Sequence, residues 1–301
     1  MSTKPPFNKA FPIHWILDWD GTITKKDTLD ALVNISAATK PDFPTRDHWN
    51  NVSKAYMDDY TDTLSRLAPN GNLPTTISGE KHLLAQMKVV EQRSLDRVSS
   101  CGIFAGLTKQ AINAGAEQAI TSRAVELRSG FPEFFGNIRH HRKDNGLMLL
   151  SVNWSRTFIQ SCLSAAHIVH VPTSTIISNE LDGIEAGEPS TGAIVSVDYP
   201  SEGLIMSSGD KIERMKRMQL QGQTVYVGDS WTDIECLLAA DLGICIRDDP
   251  VGSSQKKLAE ALTRLGVSCP RLRDYKDADE WGVVWARDFA EIQDWIASRS
   301  A

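Results

Sequence analysis

The chain has 301 residues, with 32 Lys and Arg against 38 Asp and Glu, giving a formal net charge of −6. That balance excludes a nucleic-acid binder that relies on overall basicity. Its 41% hydrophobic and 23% charged residues are ordinary for a globular protein, and the length allows one large domain or two modest ones.

Five cysteines (Cys101, Cys162, Cys236, Cys245 and Cys269) are scattered, and none forms a CxxC pair. This usage implies reduced thiols rather than a disulfide framework or a zinc site. The first residues, MSTKPPFNKAFPIHW, lack the apolar core of a secretory signal. No apolar run approaches the roughly 20 residues that span a bilayer. A cytoplasmic address is the default expectation, with no membrane partner and no nucleic acid.

In chain order, the first apolar run, IHWIL, predicts a buried strand that ends in Asp18 and Asp20. From about residue 25 to residue 128 almost no strand signal follows. The helical stretches are DTLDALVNISAA, RDHWNNVSKAYMDDYTDTLSRLA and SGEKHLLAQMKVVEQRSLDRVSS, with LAPNGNLPTTISG as a turn-rich connector. We expect residues 25–128 to form a separate, mainly helical domain. The stretch SGFPEFFGNIRHHRKDNG then reads as a helix returning the chain to the sheet. Further strands are expected at LMLL before Ser151, TIIS around Ile176, TVYV before Gly228, and LGICI around Ile244. Helices with apolar residues at i, i+3 or i+4 lie between most of them: SRTFIQSCLSAA, DKIERMKRMQL and WTDIECLLAAD. Alternation of strand and helix predicts an α/β fold with a mostly parallel sheet.

In such sheets ligands bind beyond the carboxyl ends of the strands, where Asp18 and Asp20 would lie. Two carboxylates held close need a cation or a shared proton. A hard divalent ion such as Mg²⁺ suits them. Asp229 follows TVYVG at another strand end and can complete a metal site. Asp233, four residues on, is either a helix cap with Ser230 or a supporting metal residue, and the two roles can coexist. Ser151 ends a strand before a loop whose N–H groups open a helix, an arrangement that suits phosphate. Asp210 reads as an N-cap with Glu213, which places Lys211 at the first helical position. Taken singly, Ser151 is a turn residue and Lys211 a solvated one.

The order Asp-x-Asp-Gly-Thr, strand-end Ser, helix Lys and Gly-Asp-x-x-x-Asp resembles the four motifs of the haloacid dehalogenase (HAD) superfamily. DWDGTIT and GDSWTD are the specific matches, and the resemblance covers about residues 11–24 and 130–250. It implies a Rossmann-like core, residues 1–24 and 129–301, with residues 25–128 as a C1-type cap. Within the superfamily the chain looks most like the phosphoserine-phosphatase-like group. The resemblance implies a phosphatase acting on a small phosphomonoester through an aspartyl-phosphate. Asp18 would be the nucleophile and Asp20 the general acid and base. Asp18, the Asp20 carbonyl and Asp229 would hold Mg²⁺, with Asp233 in support. Ser151 and Lys211 would hold the phosphoryl oxygens. An acid at the Asp20 position favours phosphate ester over carbon–halogen chemistry. A phosphotransferase or phosphomutase, and a non-catalytic binding protein of the same fold, are the alternatives. The substrate expected is a small phosphorylated metabolite, and the oligomeric state is open.

Trp19, Trp154 and Trp231 flank the motifs, either as packing or as an apolar wall for substrate. Lys25, Lys26, Arg46 and His48 read mostly as solvated surface, with an anionic substrate tail as the alternative.

Overall fold

The computed structural model describes residues 12–141, 146–169, 171–198, 201, 203–274 and 282–297. The readings of the first residues and of the RKDN end of the returning helix fall outside these. The chain opens with β1 (Ile13–Leu17), followed by a wide turn and four helices: α1 (Leu29–Thr39), α2 (Thr45–Leu67), α3 (Ile77–Ser100) and α4 (Lys109–Thr121). Then come α5 (Phe131–His141), β2 (Gly146–Leu150), α6 (Arg156–Ala165), and three short strands, β3 (Ile176–Ile177), β4 (Asn179–Leu181) and β5 (Ile194–Ser196). The rest is α7 (Ser208–Arg217), β6 (Gln223–Gly228), α8 (Ile234–Ala239), β7 (Leu242–Ile246), α9 (Ser253–Arg264), β8 (Val283–Ala286) and α10 (Phe289–Ala297).

Two compact units result. The first comprises residues 1–26, 127–150 and 211–301. Its sheet runs β2-β1-β6-β7-β8, with every pairing parallel. Parallel strands are covered on both faces, which is why they read as continuous apolar runs. All five residues of β7 are buried, as are Trp15, Ile16 and Leu17 of β1. Helix α5 presents Phe131, Phe134, Phe135 and Ile138 at helical spacing, and all four are buried. Phe134 meets Trp15 edge-on at 4.9 Å between ring centroids, and Phe131 meets Phe289 of α10 at 5.1 Å. Burying such a side chain contributes about 1.5–3 kcal/mol. Leu17 pairs with Val227, so the ends of β1 and β6 lie side by side. The Asp18 N–H donates to the Val227 carbonyl at 3.0 Å, which brings the two acidic motifs together.

The second unit comprises residues 27–126 and 151–210. Helices α2 and α3 pair lengthwise. The Tyr56 hydroxyl donates to Glu91 at 2.8 Å, and Arg97 donates to Asp59 at 2.6 Å. Helix α4, not expected as a separate element, starts at the Thr108 cap, whose hydroxyl accepts from the Ala111 N–H at 3.2 Å. It crosses α1 closely, since a Cβ on Gly115 would stand 2.4 Å from Ile35. Residues 151–210 group with the insertion here, although the sequence placed them with the sheet. The physical reason is α6, whose Ser161 hydroxyl bonds Asn113 of α4 at 2.7 Å, and Asn153, whose amide reaches the Thr28 hydroxyl at 3.2 Å. A small antiparallel pair, β4 with β5, completes this unit.

Candidate active site

Asp18 ends β1 and is 3% exposed. The chain then turns through Asp20 (φ −70°, ψ 124°) and Gly21 (φ 74°, ψ −11°), the dihedrals of a type II turn. Position 21 demands glycine twice over. Its φ is left-handed, and a Cβ there would stand 2.5 Å from an Asp229 carboxylate oxygen. The turn closes with the Thr24 N–H on the Trp19 carbonyl at 3.0 Å. Trp19 itself is fully buried, so packing accounts for it.

Lys211 is fully buried, and its ammonium donates to Asp18 Oδ1 and to Asp233 Oδ1, both at 2.7 Å. The Tyr226 hydroxyl donates to the same Asp233 oxygen at 2.6 Å. Asp233 Oδ2 accepts from the Asp229 N–H at 3.2 Å, and from the Ser230 N–H and hydroxyl at 3.0 Å each. The capping box read from the sequence is therefore present, and Asp233 faces Lys211 at the same time. Asp229 accepts from the Thr22 hydroxyl at 3.2 Å and the Ser254 hydroxyl at 2.9 Å.

One ligand oxygen each of Asp18, Asp229 and Asp233 lies within 4.8 Å of the others. Three buried carboxylates against one ammonium leave an uncompensated negative charge. Burial pushes the Asp18 carboxyl well above its usual range. Asp233 and Asp229 add to that by repulsion, while Lys211 opposes it. Burial, then Asp233, pushes Asp229 up to about 7 against the pull of Ser254, Lys211 and Thr22. Burial alone would lower Lys211, but Asp18 and Asp233 outweigh it and hold the ammonium above its ordinary value.

The donor set fits a hard divalent cation: carboxylate oxygens, buried, with excess negative charge. Asp18 and Asp229 are the candidate direct ligands. Both Asp233 oxygens already accept several bonds, which suits a supporting role.

Helix α7 corrects the sequence reading. It begins at Ser208, three residues before the expected start. Asp210 accepts from the Ser207 N–H at 3.0 Å, and its own N–H donates to the Ser207 hydroxyl at 3.3 Å. The capping box is thus Ser207 with Asp210, and Lys211 lies in the second turn. Two serines ahead of Asp210 offered an earlier cap that outcompeted the later one. Lys88 also pairs with Asp210 at 2.6 Å.

Ser151 lies in the second unit and is fully buried. Its hydroxyl accepts from the Asn153 N–H at 3.1 Å. The first turn of α6, expected to offer N–H groups to phosphate, is occupied from within the chain. The Thr157 N–H donates to Glu180 at 2.7 Å and the Phe158 N–H to the Ser155 hydroxyl at 3.1 Å. The Ser155 hydroxyl donates to Glu180 as well, at 2.7 Å. A carboxylate 25 residues downstream could not be seen in the local sequence.

Trp154 sits among Trp49 and Phe104 at 5.8 and 6.0 Å between centroids. Lys25 and Lys26 are exposed, Arg46 pairs with Asp30 at 3.4 Å, and His48 stacks on Phe43 at 5.0 Å. Thr22, Tyr226, Ser254 and Arg128 were not anticipated. Thr22 lies inside DWDGTIT and Tyr226 inside the TVYV strand that leads to Asp229, whereas Ser254 and Arg128 reach the site only through tertiary folding.

No family model matches the chain. A CTO1 family protein of Schizosaccharomyces pombe is 29% identical over 261 residues, 83% of this chain and 85% of that protein. A mitochondrial bifunctional TH2 protein of Arabidopsis thaliana is 25% identical over 268 residues, 83% of this chain but only 41% of that protein. Among solved structures, a phosphoserine phosphohydrolase-like protein of Francisella tularensis superposes with a TM-score of 0.52 at 17% identity, covering 94% of this chain and 99% of that one. A phosphoserine phosphatase described as a phospho-aspartyl intermediate analogue superposes at 0.50 and 15% identity, covering 94% and 98%. The chain therefore has the HAD-type α/β fold. More narrowly, it is the fold of the phosphoserine-phosphatase-like group.

Proposed function

We infer that the chain is a Mg²⁺-dependent phosphatase that hydrolyses a small phosphomonoester through an aspartyl-phosphate. One observation carries this reading: Asp18, Asp229 and Asp233 converge with the buried Lys211 at the adjoining ends of β1 and β6. In this reading Asp18 attacks phosphorus. Asp20 protonates the leaving oxygen and then takes a proton from the attacking water. Lys211 orients the Asp18 carboxylate before attack and, with Ser151, holds phosphoryl oxygens. Asp18, the Asp20 carbonyl and Asp229 hold the cation, with Asp233 behind them. The bound Mg²⁺ supplies charge neutralisation at the phosphoryl group. Residues 25–128 act as the cap that selects among substrates, and the substrate is a small phosphorylated metabolite in the cytoplasm.

The test is phosphate release across a panel of phosphomonoesters, with and without Mg²⁺, for the wild type and Asp18→Asn. Release that needs Mg²⁺ and disappears in the variant, with the fold retained, is expected. Near-normal activity in Asp18→Asn would falsify the mechanism.

A further inference from the structure

Arg128 stands where the chain re-enters the first unit, and it is only 3% exposed. Its side chain is turned onto the backbone that follows Asp20. Nη2 donates to the Gly21 carbonyl at 2.6 Å and to the Thr24 carbonyl at 3.4 Å, and Nε donates to the Thr22 carbonyl at 2.9 Å. The Arg128 N–H donates to the Ile23 carbonyl at 2.7 Å. Four consecutive carbonyls of the acidic turn are thus held by one residue.

The guanidinium is in turn anchored. It pairs with Asp248, which follows β7. Asp248 is gripped by Gln255 in the first turn of α9, whose amide donates to Asp248 Oδ2 at 2.7 Å and whose carbonyl oxygen accepts from the Asp248 N–H at 2.8 Å. The preceding residue, Ser254, bonds Asp229. The first turn of α9 therefore holds Asp229 directly and the Asp20 turn through Asp248 and Arg128.

Ordinary packing does not require this. A buried arginine carries a large desolvation cost unless charge and hydrogen bonds offset it. A planar fork satisfies several carbonyls at fixed angles, which a lysine cannot do. The carbonyls this fork holds begin at Gly21, the residue after Asp20, so it fixes the backbone into which the Asp20 turn runs.

We propose that Arg128 is a positioning residue that fixes the Asp20 turn, and so the aim of the Asp20 carboxyl and carbonyl. This rests on the phosphatase reading, in which Asp20 is the acid and base. Misplacing a reacting group by about 1 Å costs on the order of 100-fold in rate.

The experiment compares Arg128→Ala, Arg128→Lys, Asp20→Asn and the Asp20→Asn/Arg128→Ala double variant in single-turnover assays on an alkyl and an aryl phosphate. Arg128→Ala should lose about 100-fold on the alkyl ester and clearly less on the aryl ester, whose leaving group needs less proton donation. Arg128→Lys should recover only part of this loss. In the double variant the Arg128 change should add little, since its target is already gone. Losses that multiply, or that are equal for both esters, overturn the proposal. Amide exchange at Gly21 and Thr24 is followed in parallel, and it is independent of turnover. It should quicken in Arg128→Ala while β6 and β7 stay protected, and unchanged exchange also overturns the proposal. A wild type that turns over no phosphomonoester would defeat the phosphatase reading, and the exchange result would still decide the clamp.

Discussion

At the scale of single residues, the site is a charge problem held in suspense. With no cation, Asp229 is pushed up to about 7 by burial and by Asp233, from an ordinary value of 3.8. A carboxyl raised on folding binds more protons in the native than in the unfolded state. The stability tied to it is present below the unfolded value and is lost as pH rises through about 7. The metal-free protein should therefore show a falling Tm from pH 5 to pH 8, with added Mg²⁺ restoring it at the upper end. Mg²⁺ affinity should strengthen over the same range, because binding expels the proton. Calorimetry in buffers of different ionisation enthalpy measures that release, and proton uptake or no exchange would contradict it.

Asp20 offers a second residue-scale expectation. On the proposed phosphatase mechanism, Asp20→Asn should spare formation of the Asp18 intermediate with aryl phosphates more than with alkyl ones. The intermediate should also accumulate, because no base remains to activate water. Rapid-quench trapping of the phosphorylated chain measures this, and equal loss for both esters would remove Asp20 from the acid role.

Among elements, strands were the most legible. IHWIL, TVYV and LGICI are buried on both faces, and that burial is written directly into their composition. The acids at their ends stand where the motifs placed them, because parallel pairing fixes which ends meet. Helix starts were less legible. Ser207 and Asp210 won the start of α7 over the later pair, and only the folded chain shows which cap forms. The first turn of α6 was still less so, because Glu180 reaches it from β4. Glu180 lies fully buried, and burial holds its carboxyl above the ordinary range against the hydrogen bonds from Thr157, Ser155 and Leu181. Glu180→Ala should leave the Ser155 hydroxyl and the Thr157 and Leu181 N–H groups unmet, at about 1–3 kcal/mol for each that water cannot reach. Urea unfolding checks this, and a midpoint unchanged from wild type would mean that the carboxylate is not a cap of consequence.

For the molecule as a whole, the division into two units was only half visible in the sequence. The hundred helical residues after β1 announce an insertion, but nothing local shows that residues 151–210 pack with it. If the helical unit selects substrate, its partly exposed aromatic pair, Trp49 and Trp154, should matter unequally across a substrate panel. Trp154→Ala should change kcat/KM by different factors for different phosphomonoesters, with small aryl phosphates least affected. One common factor for every substrate would argue that these rings only support the fold.

The five cysteine thiols give the two units separate voices. Cys162 is buried in the helical unit, and Cys236 and Cys245 are buried in the sheet unit. A thiol reagent reaches each only when its own surroundings open, so the wild-type chain already carries a reporter in each unit. Rates of labelling, read cysteine by cysteine in rising denaturant, distinguish one cooperative unfolding event from two. Coincident rates would mean that a substitution in the helical unit is felt by the cluster of Asp18, Asp229 and Asp233 through global stability. Separate rates would mean that the two units can drift in stability, and so in sequence, independently.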